Sequence, residues 1–255
     1  MVNYLNTVPL VWGMLHGEQR DLFDLSFAIP AECADRLNDG RADIGIVPSV
    51  ELNRQKLDII RGSGIASNGA VRSILLISRV PFGAIRTLAT DSCSRTSVAL
   101  SRVVLQRKFG VSPQLISQPP KLGSMLAQSD AALIIGDAAL LIDPTTLSMN
   151  VLDLGEEWTK MTGLPMVFAV WAARAGFPPQ DPAPFLASLR FGKEHLEDIV
   201  SQEHAKIGIT DILARRYLSE NIVYELGERE YAGLSSFLRY ASELPAPVQS
   251  KMVTV

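Results

Sequence analysis

Hydroxyl and amide side chains recur in this sequence where an apolar run gives way to an amphipathic one: at Asn6-Thr7, at Ser49, and at Ser94, Thr96 and Ser97. Such places bind anions. The first amides of a helix have no partner inside it and carry the positive end of the helix dipole behind them, so a carboxylate is favoured there without a formal cation. Each of these residues taken singly also fits a plain helix cap. Taken together, on two parts of the chain, they point to an anion-binding cleft. Asp137 fits either a catalytic carboxylate or the N-cap of a helix starting at Ala138. Arg72 has two readings as well, a partner for a substrate carboxylate or one half of an exposed ion pair. Trp158 and Trp171 would line a pocket or fill the core, the commoner place for a lone aromatic in an apolar strand.

Other chemistries find little support. Three histidines occur. His16 falls about 10 Å along a helix from the polar turn that opens it, near the end that would stabilise its charged form. His195 and His204 stand among Glu194, Glu197, Asp198 and Glu203 without the i, i+4 spacing that puts two imidazoles on one metal, and read as a solvated face. Gly62-Ser63-Gly64 begins like a dinucleotide-binding turn, but Asn68-Gly69 follows where a helix should start. There is no phosphate-binding GxxxxGK[ST] loop, no GxSxG elbow and no HExxH. Cys33 and Cys93 lack CxxC spacing and read as small core residues, so neither a disulfide framework nor a metal site is expected. No cofactor is implied.

The elements that must position these residues follow from hydrophobic period. Branched apolar runs alternate with amphipathic stretches, the pattern of an α/β protein built from parallel strands and crossover helices. Val2 to Leu5 reads as a strand, a short one because Met1 stands only five positions before Asn6, and Pro9 then opens a helix that runs to Gly17. Ala31 to Asn38 is helical with Gly40 as its stop, and Ala42 to Val47 is a buried strand ending in Pro48-Ser49. Ser73 to Ser78 is another strand, and Val80-Pro81-Phe82-Gly83 marks a break. Thr87 to Asp91 leads into the hydroxyl-rich turn and a helix carrying Leu100, Val103 and Val104, closed by Gly110. Ala131 to Ile135 is a strand, and Met166 to Ala173 is a long apolar strand that returns the chain to its first half. Two crossings, near residues 80 and 170, give two lobes: 1–80 with 172–255, and 81–171. Beyond a proline-rich linker from Pro178 to Pro184 the chain is helical, with Phe185, Leu189, Leu196 and Val200 on one face, Tyr231, Leu234, Leu238 and Ala241 on another, and Thr210-Asp211 as a cap.

Composition excludes several classes. With 24 Lys and Arg against 27 Asp and Glu, the net charge is −3. The basic stripe that nucleic-acid binding requires is missing, with no basic run longer than pairs such as Arg215-Arg216. At 47% hydrophobic residues the chain has ample material for a core, and its longest apolar run falls far short of the ~20 residues that span a bilayer. Neither nucleic acid nor membrane is an expected partner. The first residues show no basic stretch followed by an apolar one, so a cytoplasmic protein is expected.

Several stretches carry a family resemblance. Val2-Asn3-Tyr4-Leu5-Asn6-Thr7-Val8-Pro9-Leu10 and Asp43-Ile44-Gly45-Ile46-Val47-Pro48-Ser49-Val50-Glu51 resemble opening motifs of chorismate dehydratase from the futalosine route to menaquinone. So do Gly69 to Ser73, Asp91 to Ser97, Gly136 to Leu140, Asp153 to Trp158, and Thr162-Gly163-Leu164-Pro165, in this order along most of the chain. The resemblance implies a type-2 periplasmic-binding-protein fold without secretion: two lobes, each a mostly parallel sheet flanked by helices, joined by two crossing strands. It implies a lyase that removes water from chorismate, giving 3-[(1-carboxyvinyl)oxy]benzoate. A sister family acting on cyclic dehypoxanthinyl futalosine opens with a Ser-Pro-Cys-Pro-Asn type of motif, which Tyr4-Leu5-Asn6-Thr7 does not fit.

Under that resemblance Asn6 is the catalytic candidate. Ser94, Thr96 and Ser97 would hold a carboxylate with Ser49 opposite, and Thr7, Arg72, Ser73, Asp137, Thr162 and Gly163 join them as substrate-binding candidates. No residue stands out as a base, so the enolpyruvyl carboxylate of the substrate itself is expected to take the proton. The alternatives are a non-catalytic protein that closes around a small carboxylate, and the sister enzyme, which needs room for a larger bicyclic substrate.

Overall fold

A computed structural model describes residues 4–91, 94–178 and 180–245. Helices α1 (Val8–His16) and α2 (Pro30–Asn38) precede strands β1 (Ile44–Pro48), β2 (Leu57–Ser67), β3 (Ile74–Ser78) and β4 (Thr87–Thr90). Then come α3 (Arg95–Phe109), β5 (Gln114–Ser117), α4 (Leu122–Gln128), β6 (Ala131–Ile135), α5 (Asp137–Leu140), β7 (Asn150–Asp153) and α6 (Leu154–Thr162). The chain ends with β8 (Met166–Arg174), α7 (Ala183–Glu194), α8 (Leu196–Ile207), α9 (Asp211–Arg216), β9 (Val223–Glu225) and α10 (Glu228–Ser242).

Local chemistry sets many of these boundaries. Pro9 sits in the first turn of α1, where its missing N–H costs nothing, and the helix stops before Gly17. Gly110 ends α3 in the left-handed conformation at φ 70°, its amide reaching back into the last turn. Thr210 caps α9 by accepting from the Leu213 amide.

The strands form two sheets, ordered β1-β8-β2-β9 and β5-β4-β6-β3-β7. Pairing differs from the mostly parallel expectation. Every ladder of the first sheet is antiparallel, and in the second only β4 with β5 and β4 with β6 are parallel. The cause is the crossings. Both β1 and β2 run antiparallel to β8, so they share a direction, but the returning β8 lies between them. Likewise β3, arriving from the first sheet, runs against β6 and β7. A strand that enters from the other sheet starts at the cleft, whereas β1, β2, β4 and β6 end there. Their carboxyl ends converge on one crevice, the usual place for a ligand in an α/β protein.

Because Ile74–Ser78 belongs to the second sheet, the first crossing falls between Ser67 and Ile74, earlier than the break at Val80 to Gly83. That break holds only a short 3-10 turn, Phe82–Ala84. Of the expected strand at Val2 to Leu5, Val2 and Asn3 lie outside the described residues. Tyr4 is extended, and Leu5–Thr7 is already a 3-10 turn. Gly62, at φ 104°, and Gly64 sit at a shift of register in β2, where a Cβ on Gly64 would stand 2.6 Å from the Ala169 carbonyl oxygen. The dinucleotide-like spacing is a strand irregularity built on close backbone approach.

Trp158 and Trp171 are both in the core, the first against Phe237 and the second against Phe185. Helices α7 and α8 bury Phe185, Leu189 and Val200, and Leu234 of α10 packs in a cluster with Val167 and Val170 of β8. Cys33 is buried in α2, and Cys93 lies outside the described residues. Among the described residues no helix is long and apolar enough to cross a membrane.

Candidate active site

Between the two sheets lies a cleft with about 570 Å³ of empty space, its open mouth included. Its polar lining is Asn6, Ser73, Ser94, Thr96 and Ser97, with Tyr4 at one wall. Apolar walls come from Val47, Ile65, Ile135 and Phe168, at the cleft-facing ends of β1, β2, β6 and β8. Among the described residues no Asp, Glu, His, Lys or Arg side chain lines it.

Each polar group is fixed by its element. Asn6 belongs to the 3-10 turn that runs straight into α1, and its side-chain oxygen accepts from the Thr7 hydroxyl at 3.4 Å. Ser94 precedes α3 without capping it: its hydroxyl donates to Ser97 Oγ at 2.8 Å. The first-turn amides of α3, whose preceding residue Ser94 and first-turn Thr96 and Ser97 line the cleft, thereby have no side-chain cap. Thr96 Oγ1 accepts from the Val50 amide at 3.2 Å and stands 3.5 Å from Ser49 Oγ, which donates to the Val167 carbonyl at 2.8 Å.

Those contacts join the two sides of the cleft, and an ion-pair cluster reinforces them. Arg95, the first residue of α3, lies 3.0 Å from both carboxylate oxygens of Asp35 on α2. Its other nitrogen donates to Glu51 at 3.2 Å. Glu51 is 1% exposed and also accepts from Gln55, so its charge is compensated where water cannot reach it. The two sides of the cleft are in contact.

Ser73 owes its place to strain next door. Arg72 has φ 67°, unusual for a residue with a side chain. Its amide donates to Asp153 Oδ2 at 2.6 Å and that of Val71 to Oδ1 at 3.0 Å, while Asp153 also caps α6 through the Gly155 and Glu156 amides. The Arg72 guanidinium turns to the carbonyls of Ala139, Leu140 and Ile142, closing the end of α5. Arg72 thus holds the crossing segment in shape rather than lining the cleft.

Five candidates from the sequence therefore meet: Asn6, Ser73, Ser94, Thr96 and Ser97. Thr7 and Ser49 are buried just behind them. Thr162 and Gly163 are not in the lining. Thr162 Oγ1 donates to the Trp158 carbonyl, and Gly163 ends α6 at φ 71°. The motif that contains them is a helix stop. Asp137 opens α5 beside the lining residue Gly136 and accepts from the Leu5 amide at 3.2 Å. Burial, opposed by that hydrogen bond and assisted by the negative charge of Glu203, raises its carboxyl to about 6. The histidines stay out of the cleft lining: His16 packs on Trp12, and His195 and His204 turn Nδ1 to carbonyls of their own turns. Among the described residues no cluster of His, Cys, Asp or Glu could hold a metal ion.

The Asp137 value has a testable sign. Its native carboxyl keeps a proton that the unfolded chain releases near 4, so the stability it lends is whole below that pH and fades as pH rises through about 6. Asp137→Asn should therefore be more stable than the parent at pH 7.5, by about 1–2 kcal/mol once partial exposure is allowed for. At pH 4 the advantage should vanish. Thermal melts at both pH values check this, and an equal difference at the two would refute it.

One polar contributor escaped the sequence reading. Tyr217, at the start of a π-helical turn (Tyr217–Asn221) after α9, sends its hydroxyl 2.9 Å to Ser73 Oγ. It belongs to no recognisable motif.

Comparison with known proteins agrees with this architecture. A family model described as menaquinone biosynthesis matches residues 1–243. The chain belongs to that family. Its relatives include the chorismate dehydratase of Thermus thermophilus, 29% identical over 92% of this chain and 91% of that protein. Another is the chorismate dehydratase of Campylobacter jejuni, 27% identical over 95% of this family member and 96% of the relative. Among solved structures, an Archaeoglobus fulgidus protein superposes with a TM-score of 0.72 at 16% identity, covering 95% of each chain. The periplasmic aliphatic sulphonate binding protein of Escherichia coli gives 0.63 at 14% identity, over 94% of this chain and 89% of that one. The fold is that of the periplasmic binding proteins, as the motifs implied.

Proposed function

We propose that this protein eliminates water from chorismate, forming 3-[(1-carboxyvinyl)oxy]benzoate, in a site made of Asn6, Ser73 and the Ser94–Thr96–Ser97 turn. One observation supports it most: among the described residues the cleft is lined with neutral hydrogen-bonding groups and carries no Asp, Glu, His, Lys or Arg side chain. In chorismate the C3 proton is vinylogous to the ring carboxylate. Its removal spreads charge into that carboxylate, and departure of the C4 hydroxyl leaves an aromatic ring. Aromaticity drives the step, so the protein's work is to hold two carboxylates and stabilise the delocalised charge. The α3 amides with Thr96 and Ser97 suit one carboxylate, and Asn6 with Ser73 suits the reacting end. With no base in the described lining, the substrate's enolpyruvyl carboxylate accepts the C3 proton. The lobes on either side are the first sheet with the C-terminal helices and the second sheet with α3 to α6.

Incubating the purified protein with chorismate and following ultraviolet absorbance and mass tests this reading. The expected result is loss of one water with growth of an aromatic spectrum. Chorismate recovered unchanged would refute it, and a thermal shift without turnover would favour a binding protein.

A further inference from the structure

The π-helical turn at Tyr217–Asn221 grips the crossing segment at two points. Tyr217 reaches Ser73, and Asn221 Nδ2 donates to the Ala70 carbonyl at 3.0 Å. Tyr217 is 0% exposed. A fully buried phenol is held where its hydroxyl is satisfied, and burial raises its pKa above the ordinary tyrosine range, so it remains a protonated donor. A π turn inserts one extra residue into the helical repeat, a device common at functional sites.

Counting hydrogens gives the network a direction. A phenol has one hydrogen to give. The single phenol hydrogen then goes to Ser73 Oγ. Ser73 lines the cleft, and with a lone pair taken by the Tyr217 hydroxyl its own hydrogen is left for a group in the cleft. Without Tyr217 the Ser73 hydroxyl is free to rotate and to present a lone pair instead, which a carboxylate repels.

We propose that Tyr217 is the positioning residue of this site, a buried relay that fixes Ser73 as a hydrogen-bond donor to the substrate. The role rests on the dehydratase reading above. It acts through Ser73, so its energetic signature is coupling to that residue. A double-mutant cycle with chorismate reads it. Ser73→Ala should lower kcat/KM by about 10²-fold, the loss typical of a removed transition-state donor. Tyr217→Phe should cost about tenfold, carried by kcat with KM nearly unchanged, and thermal melts should show it folded. In the double variant the two losses should not multiply: its kcat/KM should match Ser73→Ala within about twofold.

A general packing defect gives the opposite pattern, the Tyr217→Phe loss being the same with or without the Ser73 hydroxyl. Multiplied losses, or full activity in Tyr217→Phe, overturn the role while wild-type turnover leaves the dehydratase reading intact. Absence of turnover in the wild type overturns the reading and the role together.

Discussion

Asn6→Asp should leave a folded protein that turns over chorismate at least about 10³-fold more slowly than the parent. Removing one donor aimed at developing charge typically costs about 10²–10³-fold. The aspartate does more than remove a donor. It places a negative charge in an apolar-walled cleft beside a substrate that already carries two, with no Lys or Arg in the described lining to offset it. Asn6→Ala separates the effects, because it removes the donor without adding charge and should fall less far. Steady-state rates with thermal melts alongside give the comparison. Full kcat in Asn6→Asp would remove Asn6 from the chemistry.

The second large effect is on stability and lies 186 positions away. Asn6 is aimed by the turn that starts α1, and α1 is seated on α7 through two small residues one helical turn apart. Ser188 Oγ donates to the Leu10 carbonyl at 2.9 Å and accepts the Met14 amide at 3.1 Å. At Gly192 a Cβ would stand 2.1 Å from the Pro9 carbonyl oxygen and 2.8 Å from its carbon. Alanine is the better helix former by about 1 kcal/mol, but this neighbour is backbone and cannot swing aside. The overlap should win, with a net loss of about 2 kcal/mol and a fall in Tm of about 4–8 °C. Gly123 in α4 is the control, being exposed with nothing within 4 Å of where a Cβ would stand, and Gly123→Ala should leave Tm unchanged or slightly raised. An unchanged Tm in Gly192→Ala would mean that the two helices separate at little cost.

What could be read from the sequence was mainly what local chemistry decides. The helix from Pro9 to Gly17, the α3 stop at Gly110 and the strand from Ala131 to Ile135 follow from caps and apolar period, and all three stand in the structure. The cleft hydroxyls were legible for the same reason, since they sit at element ends. Strand direction was not. Whether β1 and β2 are neighbours depends on where β8 inserts, a contact between residues 99 or more positions apart that leaves no local trace. Arg72 and Thr162 lie outside the cleft lining, and the sequence does not show it, because a residue that holds a backbone in a special shape stands out in a motif as plainly as one that binds. Tyr217 went unseen because an apolar ring on a helix has the same period whether its hydroxyl is idle or engaged.

The central place of β8 in the first sheet also sets an order of assembly. As the chain leaves the ribosome, β3 to β7 can pair among themselves before residue 166 has been made, whereas β1 and β2 have no strand between them until β8 arrives. Until then they are two unpaired edges awaiting a partner. The cleft that Asn6 lines also needs Phe168 and Ala169 of β8, so a nascent or truncated product ending before β8 has its second sheet and no working cleft.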